Sequence, residues 1–217
     1  MSEPSQAEPP LGMLDPPRSS AVSETHSHVA SSAAAGKSTR LALPQSRRMR
    51  LCELGYEDIP RLSSLFAQTK MHPLLLDSPT RFIDVAAVVA CVHRLYATSQ
   101  GLGAWLAETL DGAFVGLFSL LPIEGSADVE IHVRLKPEAW GRWYAIEGTQ
   151  LLCRQAFEVV GLPRLFGYCH PDQQRVRRIM EHFGFRDRGL CEHRRQIAHC
   201  YELDAETWRE RSAIVAH

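Results

Sequence analysis

Two side chains that can move protons stand two residues apart in the segment ADVEIHVRL, the carboxylic acid Glu130 and the imidazole His132. The segment alternates apolar and polar residues as a strand does, and residues two apart on a strand point to the same face. Burial raises the pKa of a carboxyl group and an imidazole titrates near neutral pH, so each is a candidate general base. A structural role stays open for both, as a hydrogen-bonding Glu and a satisfied core His.

The next apolar segment, PRLFGYCH, ends in two more groups that exchange protons, Tyr168 and His170. Either could give a proton to a leaving group if this strand ends beside Glu130. Cys169 alternates with them, so it points to the opposite face, where we expect it to pack in the core. Core packing is the alternative for Tyr168 and His170 as well.

The segment AWGRWYAIEGTQ places a tight Gly-Arg turn and two aromatic residues just before a helix-forming run. A helix N-terminus carries unpaired backbone N–H groups and a partial positive charge, both of which suit a phosphate. The pattern therefore predicts an anion site around Gly141. The other interpretation is an ordinary strand-to-helix turn.

Three arginines make a later predicted helix basic: Arg175, Arg177 and Arg178. A guanidinium matches the geometry of a phosphate with two parallel hydrogen bonds, so this segment is a second candidate for phosphate binding. A solvated helix face is the alternative. RNA is not indicated, because no aromatic platform lies beside the arginines and the formal net charge of the chain is −1.

Composition limits the remaining classes of function. The chain has 217 residues, enough for one sizeable domain, and lacks the basic excess that nucleic acid or an anionic membrane attracts. Six cysteines without a CxxC pair, and no secretory signal, predict reduced thiols and a cytoplasmic location. The spacing of Cys191, His193, His199 and Cys200 matches no common zinc site, so no metal is expected. The longest apolar run, 85–92, is far shorter than the ~20 residues of a membrane-spanning helix.

The composition and hydrophobic pattern divide the sequence into three parts. Residues 1–47 are rich in Pro, Ser and Ala with almost no large apolar side chains, so they are predicted to be a disordered tail. Strand, helix and turn patterns fill 48–206, which we assign to one domain. Residues 207–217 are expected to form a C-terminal tail.

Within the domain, the patterns give the order β-α-α-β-β-β-α-β-α-β-β, ending in a long strand over 193–204. We expect the first helix to be capped by Asp58, the second to start at Ser78-Pro79, and a hairpin turn at Asp111-Gly112. The strand of Glu130, the following helix and the next strand form a βαβ unit. Those two strands should therefore be parallel neighbours in an otherwise mostly antiparallel sheet.

This order, with the runs VEIHVRLKPEAWGRWYAIEG and CHPDQQRVRRIMEHFGF, resembles the GNAT superfamily of acyl-CoA-dependent N-acetyltransferases. Within the superfamily, the likeness points to the RimJ/RimL-like branch of ribosomal-protein and small-molecule acetyltransferases. The resemblance covers 49 to about 205. It implies an α/β (α+β) fold, with a mixed, mostly antiparallel central sheet flanked by helices and one parallel pair at the acetyl-CoA site.

Two motifs of the resemblance imply contacts with CoA. In such enzymes the strand backbone after the central Glu pairs with the pantetheine arm, which here implies Val133, Arg134 and Leu135. The family's phosphate-binding stretch has Arg or Gln, two free positions, Gly, any residue, then Gly or Ala. The matching residues are Trp140, Gly141, Arg142, Trp143, Tyr144 and Ala145. Trp143 stands where the family has a glycine.

The third motif opens the helix that ends at Gly184-Phe185. Gln173 stands where related sequences carry an Asn that contacts the cofactor, and Arg178 is the residue we assign to the 3′-phosphate of CoA. Many GNAT enzymes have a Tyr that protonates the leaving thiolate where this chain has Met180. The usual acid is therefore missing from its family position.

The resemblance implies transfer of acetyl from acetyl-CoA to a primary amine, either of a small molecule or of a protein N-terminus. For that reaction the candidate catalytic residues are Glu130, His132, Tyr168 and His170. The competing hypothesis is a non-catalytic acyl-CoA-binding or interaction module of the same fold. Acetyl-CoA and an amine are the expected partners, without nucleic acid or membrane, and a homodimer is compatible with the sequence. Acceptor choice is expected to lie in the two early helices and the loop 69–77.

Overall fold

The computed structural model describes residues 45–68 and 82–215. Most of the predicted tail 1–47, the predicted helix start at Ser78-Pro79 and the expected acceptor loop 69–77 lie outside these ranges. In the described part, one seven-stranded sheet is flanked by helices.

The sheet has the strand order β1-β2-β3-β4-β5-β7-β6. Its strands are β1 (Met49–Glu53), β2 (Gly103–Thr109), β3 (Phe114–Pro122), β4 (Val129–Leu135), β5 (Arg164–Cys169), β6 (Arg186–His193) and β7 (Gln196–Asp204). Neighbouring strands are antiparallel except for β4 and β5, which are parallel. The predicted mixed sheet with one parallel βαβ pair is confirmed.

Helices cover both faces of the sheet. They are α1 (Ile59–Gln68), α2 (Phe82–Thr98), α3 (Tyr144–Arg154, continued by a π-helical turn over Gln155–Val159), α4 (Gln174–Phe183) and α5 (Ala205–Val215). Leu106 of β2 packs with Val89 under α1 and α2, whereas its neighbour Trp105 packs with Leu152 under α3. Alternate residues of β2 thus enter two different apolar clusters, which explains why this strand is buried on both faces.

The parallel strands β4 and β5 stay together for a short distance. They pair at Glu130 with Phe166 and at Ile131 with Gly167, and their later residues diverge. Beyond Ile131, β4 still pairs with β3 on its other side, as far as Leu135 opposite Gly116. From His132 onward, β4 therefore no longer pairs with β5.

The predicted long strand over 193–204 is wrong at its start. Arg194 and Arg195 form a two-residue turn between β6 and β7, with φ of 50° and 63°. Two left-handed residues are what a tight hairpin needs, but this turn lacks the Asn or Gly that normally marks it in a sequence.

The C-terminal tail assigned to 207–217 is replaced, through Val215, by helix α5. Trp208 of this helix is buried and stacks on Phe157 with ring centroids 5.9 Å apart. Before α1, Asp58 closes a short 3-10 turn that runs directly into the helix, and it accepts a hydrogen bond from the Gly55 N–H at 2.9 Å.

Candidate functional site

A cavity of about 630 Å³ opens where β4 and β5 diverge. This volume is within the usual range of small-molecule sites. Among the sequence-predicted residues, the structure brings nine to its wall: His132, Val133, Leu135, Trp140, Gly141, Ala145, Tyr168, Gln173 and Arg175. Residues from three separate predicted motifs therefore meet at one cavity.

The start of α3 faces this cavity with free donors. Trp143 is the N-cap residue, and its indole has no oxygen with which to accept a hydrogen bond from the first turn. The first intrahelical bond of the turn runs from Glu147 N–H to Trp143 O, at 3.1 Å. The N–H groups before Glu147 are available to an anion, which is the property that binds phosphate at helix N-termini.

Two left-handed residues shape the loop before α3. Gly141 has φ of 73° and Trp143 has φ of 67°. Glycine adopts this conformation without strain, whereas Trp143 pays a steric cost that explains why the family prefers glycine there. The Trp143 residue is 71% exposed, so its indole gains little from burial. The indole N–H of the neighbouring Trp140 donates to Leu135 O at 3.2 Å.

Glu130 lies at the centre of a charged cluster on the face of β4 that carries Arg134. It is 1% exposed, with His132 Nε2 at 2.8 Å from its Oε1 and His193 Nε2 at 3.0 Å from its Oε2. The guanidinium of Arg194 also donates to Oε1. Each carboxylate oxygen of Glu130 therefore has an imidazole nitrogen within 3.0 Å, and Oε1 also accepts from Arg194.

The electrostatics of Glu130 run opposite to the sequence prediction. Burial alone would raise the pKa of this carboxyl group, but the close imidazoles of His132 and His193 and the charge of Arg194 together hold the pKa well below its ordinary value. A carboxylate with a lowered pKa is a weak base. Glu130 is therefore suited to orient its neighbours rather than to accept a proton.

The other two candidates for proton transfer differ in position. Tyr168 lines the cavity, and its ring stacks on His193 with centroids 3.8 Å apart. Burial raises the pKa of its phenol, which keeps the hydroxyl protonated at neutral pH. His170 lies outside the cavity wall. Its backbone N–H donates to Gln173 Oε1 at 3.2 Å, and its ring Nδ1 lies 3.4 Å from Asp172 Oδ2. The structure gives His170 a role in shaping the loop before α4.

Helix α4 presents its arginines differently from the prediction. Arg175 lines the cavity, whereas Arg178 is exposed away from it and Arg177 donates to the Tyr201 hydroxyl at 3.1 Å. Met180 is buried in the cavity wall. A Cβ on Gly167 would lie 2.7 Å from the Met180 methyl carbon, which is closer than van der Waals contact allows. A side chain at position 167 would displace Met180, so the glycine fits β5 to the helix.

Three more predicted cofactor contacts lie outside the cavity wall. Arg134 is buried against the ring of Phe66, with its Cζ 4.7 Å from the ring centroid, and burial lowers its pKa to about 10. Arg142 is exposed, and its carbonyl accepts a hydrogen bond from Arg48 at 2.7 Å. The same guanidinium lies over the ring of Tyr144. Any role of these three toward a ligand would rest on their backbone.

The sequence interpretation missed His193 and Arg194 as partners of Glu130. The β6–β7 turn carries both side chains past the end of β5 to a strand 64 residues away along the chain. The polar pair Arg194-Arg195 between two alternating runs was a signal for the turn, but nothing in the pattern indicated its partner. Across 45–68 and 82–215 no group of three or more His, Cys, Asp or Glu could hold a metal ion. Over the same ranges, none of the helices has the length and apolarity to cross a membrane.

The family model described as Acetyltransferase (GNAT) domain matches residues 48–186. Among curated proteins, the chain is similar to FsC-acetyl coenzyme A-N(2)-transacetylase of Aspergillus fumigatus, at 35% identity over 33% of this chain and 34% of that protein. The chain therefore aligns with about a third of the length of that curated relative.

Two solved structures illustrate the shared fold. The alpha-N-protein acetyltransferase RimL in complex with coenzyme A has a TM-score of 0.66 at 17% identity, over 77% of this chain and 99% of that chain. The spermidine/spermine N-acetyltransferase SpeG of Vibrio cholerae has a TM-score of 0.62 at 15% identity, over 77% and 99% of the two chains. At these identities the likeness concerns the fold alone.

Proposed function

Because this chain belongs to the GNAT acetyltransferase family, we propose that it transfers the acetyl group of acetyl-CoA to a primary amine. The observation that carries the proposal is the cavity at the point where β4 and β5 diverge, with the α3 N-terminus at its wall. The backbone at an open strand edge can make further hydrogen bonds, and a helix N-terminus attracts an anion. A cofactor with both amide groups and phosphates satisfies both.

The residues present fit such a cofactor. The β5-facing edge of β4, from His132 to Leu135, would pair with the pantetheine amides, and the N–H groups that follow Trp143 would hold the pyrophosphate. Arg175, which lines the cavity, replaces Arg178 as the proposed partner of the remaining phosphate. When bound, acetyl-CoA supplies an activated acetyl thioester.

We assign the proton transfers to His132 and Tyr168. His132 Nε2 lies 2.8 Å from the ionised carboxylate of Glu130, which favours a hydrogen on Nε2 and leaves Nδ1 to take the proton of the acceptor amine. Tyr168 keeps its hydroxyl proton and lines the same cavity, so it is the proposed donor to the departing sulfur in place of the family tyrosine that Met180 replaces.

The acceptor is proposed to be a small-molecule amine or a protein N-terminus, as in the RimJ/RimL-like branch. One curated relative is named as an N(2)-transacetylase and one fold neighbour as an alpha-N-protein acetyltransferase, which supports both classes. Selection within them is proposed to depend on α1, α2 and the loop 69–77.

A non-catalytic acyl-CoA-binding module is the second candidate function. Two observations favour it, the strained Trp143 in the phosphate loop and the buried Met180 at the usual position of the acid. Under this reading acetyl-CoA binds but its thioester is not consumed.

Two measurements test the proposal. Calorimetric titration should detect acetyl-CoA binding, and release of the CoA thiol across a panel of amines, with mass detection of products, should reveal turnover. Binding without thiol release on the whole panel would favour the non-catalytic module. Absence of binding would exclude both.

Gly141→Val is the site-specific variant for the titration. A β-branched residue at φ of 73° forces the loop to move and misdirects the α3 N–H groups, so affinity for acetyl-CoA should fall about tenfold or more. Gly112→Val is the matched control, because Gly112 also has a positive φ and open space around it but lies in the β2–β3 turn. If Gly141→Val binds as tightly as this control, the loop is only a turn.

A further inference from the structure

The β6–β7 turn delivers a cation to the buried carboxylate that orients the proposed base. Arg194 donates from its guanidinium to Oε1 of Glu130, the same oxygen that lies 2.8 Å from His132 Nε2. Its side chain is 29% exposed, whereas the carboxylate that it contacts is 1% exposed. The cation thus reaches from the surface into the proton-transfer cluster.

The turn holds this position at a conformational cost. Arg194 has φ of 50°, in the left-handed region that side chains rarely adopt. Tyr168 stacks on His193, the residue before Arg194, with ring planes 4° apart. The stacked rings and the ion pair together explain why a strained turn folds back over the end of β5.

The groups that face Glu130 come from three elements. His132 is on its own strand, Tyr168 is on β5, and His193 and Arg194 are on the hairpin. Of these, Arg194 alone is a cation at every physiological pH. Arg134 is also a cation on this face of β4, two residues beyond His132, but it lies against the ring of Phe66, so Arg194 is the cation in contact with the carboxylate.

Resting on the proposed acetyl transfer, we propose that Arg194 is a positioning residue that fixes the Glu130 carboxylate and offsets its charge, so that His132 is presented to the amine as a neutral base. The proton path stays that of the proposed function: the amine gives its proton to His132. Arg194 contributes through Glu130 and contacts neither reactant.

The test separates charge, geometry and general stability. In Arg194→Ala the positive charge beside Glu130 is lost, so the acid limb of kcat/KM against pH should move to higher pH. Its kcat should fall by about tenfold, less than the loss expected from removing a general base, while Kd for acetyl-CoA stays within about twofold. Arg194→Lys restores the positive charge but not the planar guanidinium, so the acid limb should return to its position in the parent chain while kcat recovers only in part.

Arg195→Ala is the control, because Arg195 shares the turn and has φ of 63° but points its exposed side chain elsewhere. It should leave the acid limb, kcat and the melting temperature as in the parent chain. A purely structural Arg194 would lower the melting temperature of Arg194→Ala and leave the acid limb in place. That result would overturn the proposal.

The NMR signals of the His132 ring report its surroundings in the same variants without turnover. They should shift in Arg194→Ala and stay in place in Arg195→Ala, with a smaller change in Arg194→Lys. Unchanged ring signals in Arg194→Ala would overturn the proposal even if its activity fell. Failure of the proposed function is distinct, since it is absence of thiol release by the unmodified chain.

Discussion

Glu130 shows how the surroundings of one residue decide its chemistry. A buried carboxyl group without partners would hold its proton, and that property would make it a base near neutral pH. Here two histidines and an arginine favour the ionised form more strongly than burial opposes it. This is why the proposed function gives the base role to His132 and leaves Glu130 to orient the cluster.

The lowered pKa of Glu130 predicts a pH dependence of stability. Its ordinary value is 4.5 and the folded value is lower, so its stabilising contribution is complete above about pH 5 and is lost as the pH falls further. Glu130→Gln should lower the free energy of unfolding at pH 7 by roughly 3 kcal/mol, because Arg194 is left with an uncompensated charge. The variant should also lose less stability than the parent between pH 5 and the acid limit.

Urea unfolding across this pH range measures both effects. Glu210→Gln, an exposed change on α5, is the control and should follow the parent curve. Parallel curves for Glu130→Gln and the parent would contradict the assigned direction of the pKa shift.

Trp143 carries backbone strain that glycine would relieve. With φ of 67°, Trp143→Gly should raise the free energy of unfolding by about 1 kcal/mol. Trp143→Ala removes the indole but keeps the unfavourable φ, so it should stay close to the parent. Equal stability of the two variants in chemical denaturation would mean that the loop is not strained.

At the level of elements, α5 completes the core beneath the π-helical end of α3. Trp208 is 5% exposed and stacks on Phe157, so Trp208→Ala should lower the free energy of unfolding by about 3–5 kcal/mol. The neighbouring Arg209→Ala is exposed and should change it by less than ~0.5 kcal/mol. A cost below ~1 kcal/mol for Trp208→Ala in thermal or urea unfolding would argue against docking of α5.

Local patterns predicted the elements that position the site, and long-range contacts explain what they missed. The alternation around Glu130 predicted β4, and the break at Gly141 predicted the loop before α3. The link between Arg194 and Glu130 joins residues 64 positions apart, and no local pattern encodes it. Helical spacing alone does not tell which side of α4 faces the cavity, so the sequence could not choose between Arg175, which lines it, and Arg178.

At the level of the whole molecule, the boundary of the domain lies earlier than 48. Ser46 donates from its hydroxyl to Glu147 Oε2 at 2.9 Å and accepts from Met49 N–H at 3.0 Å. Deletion of 1–44 should leave the melting temperature unchanged, because the composition of that segment offers no core residues. Deletion of 1–47 should cost about 1 kcal/mol through the lost hydrogen bonds. Equal melting temperatures for the two deletions would place the boundary back at 48.

The divergence of β4 and β5 also has a mechanical meaning. It leaves a four-stranded leaf, β1 to β4, joined to a three-stranded leaf, β5 to β7, by a hinge of two paired positions. A ligand that pairs with the edge of β4 facing β5 would bridge this hinge and reduce the motion of one leaf relative to the other. Amide hydrogen exchange should then slow in β4 and β5 when acetyl-CoA is added, while β2, in the middle of the larger leaf, keeps its rate. Equal slowing in all three strands would mean that the ligand stabilises the domain as one body and that the hinge has no motion of its own.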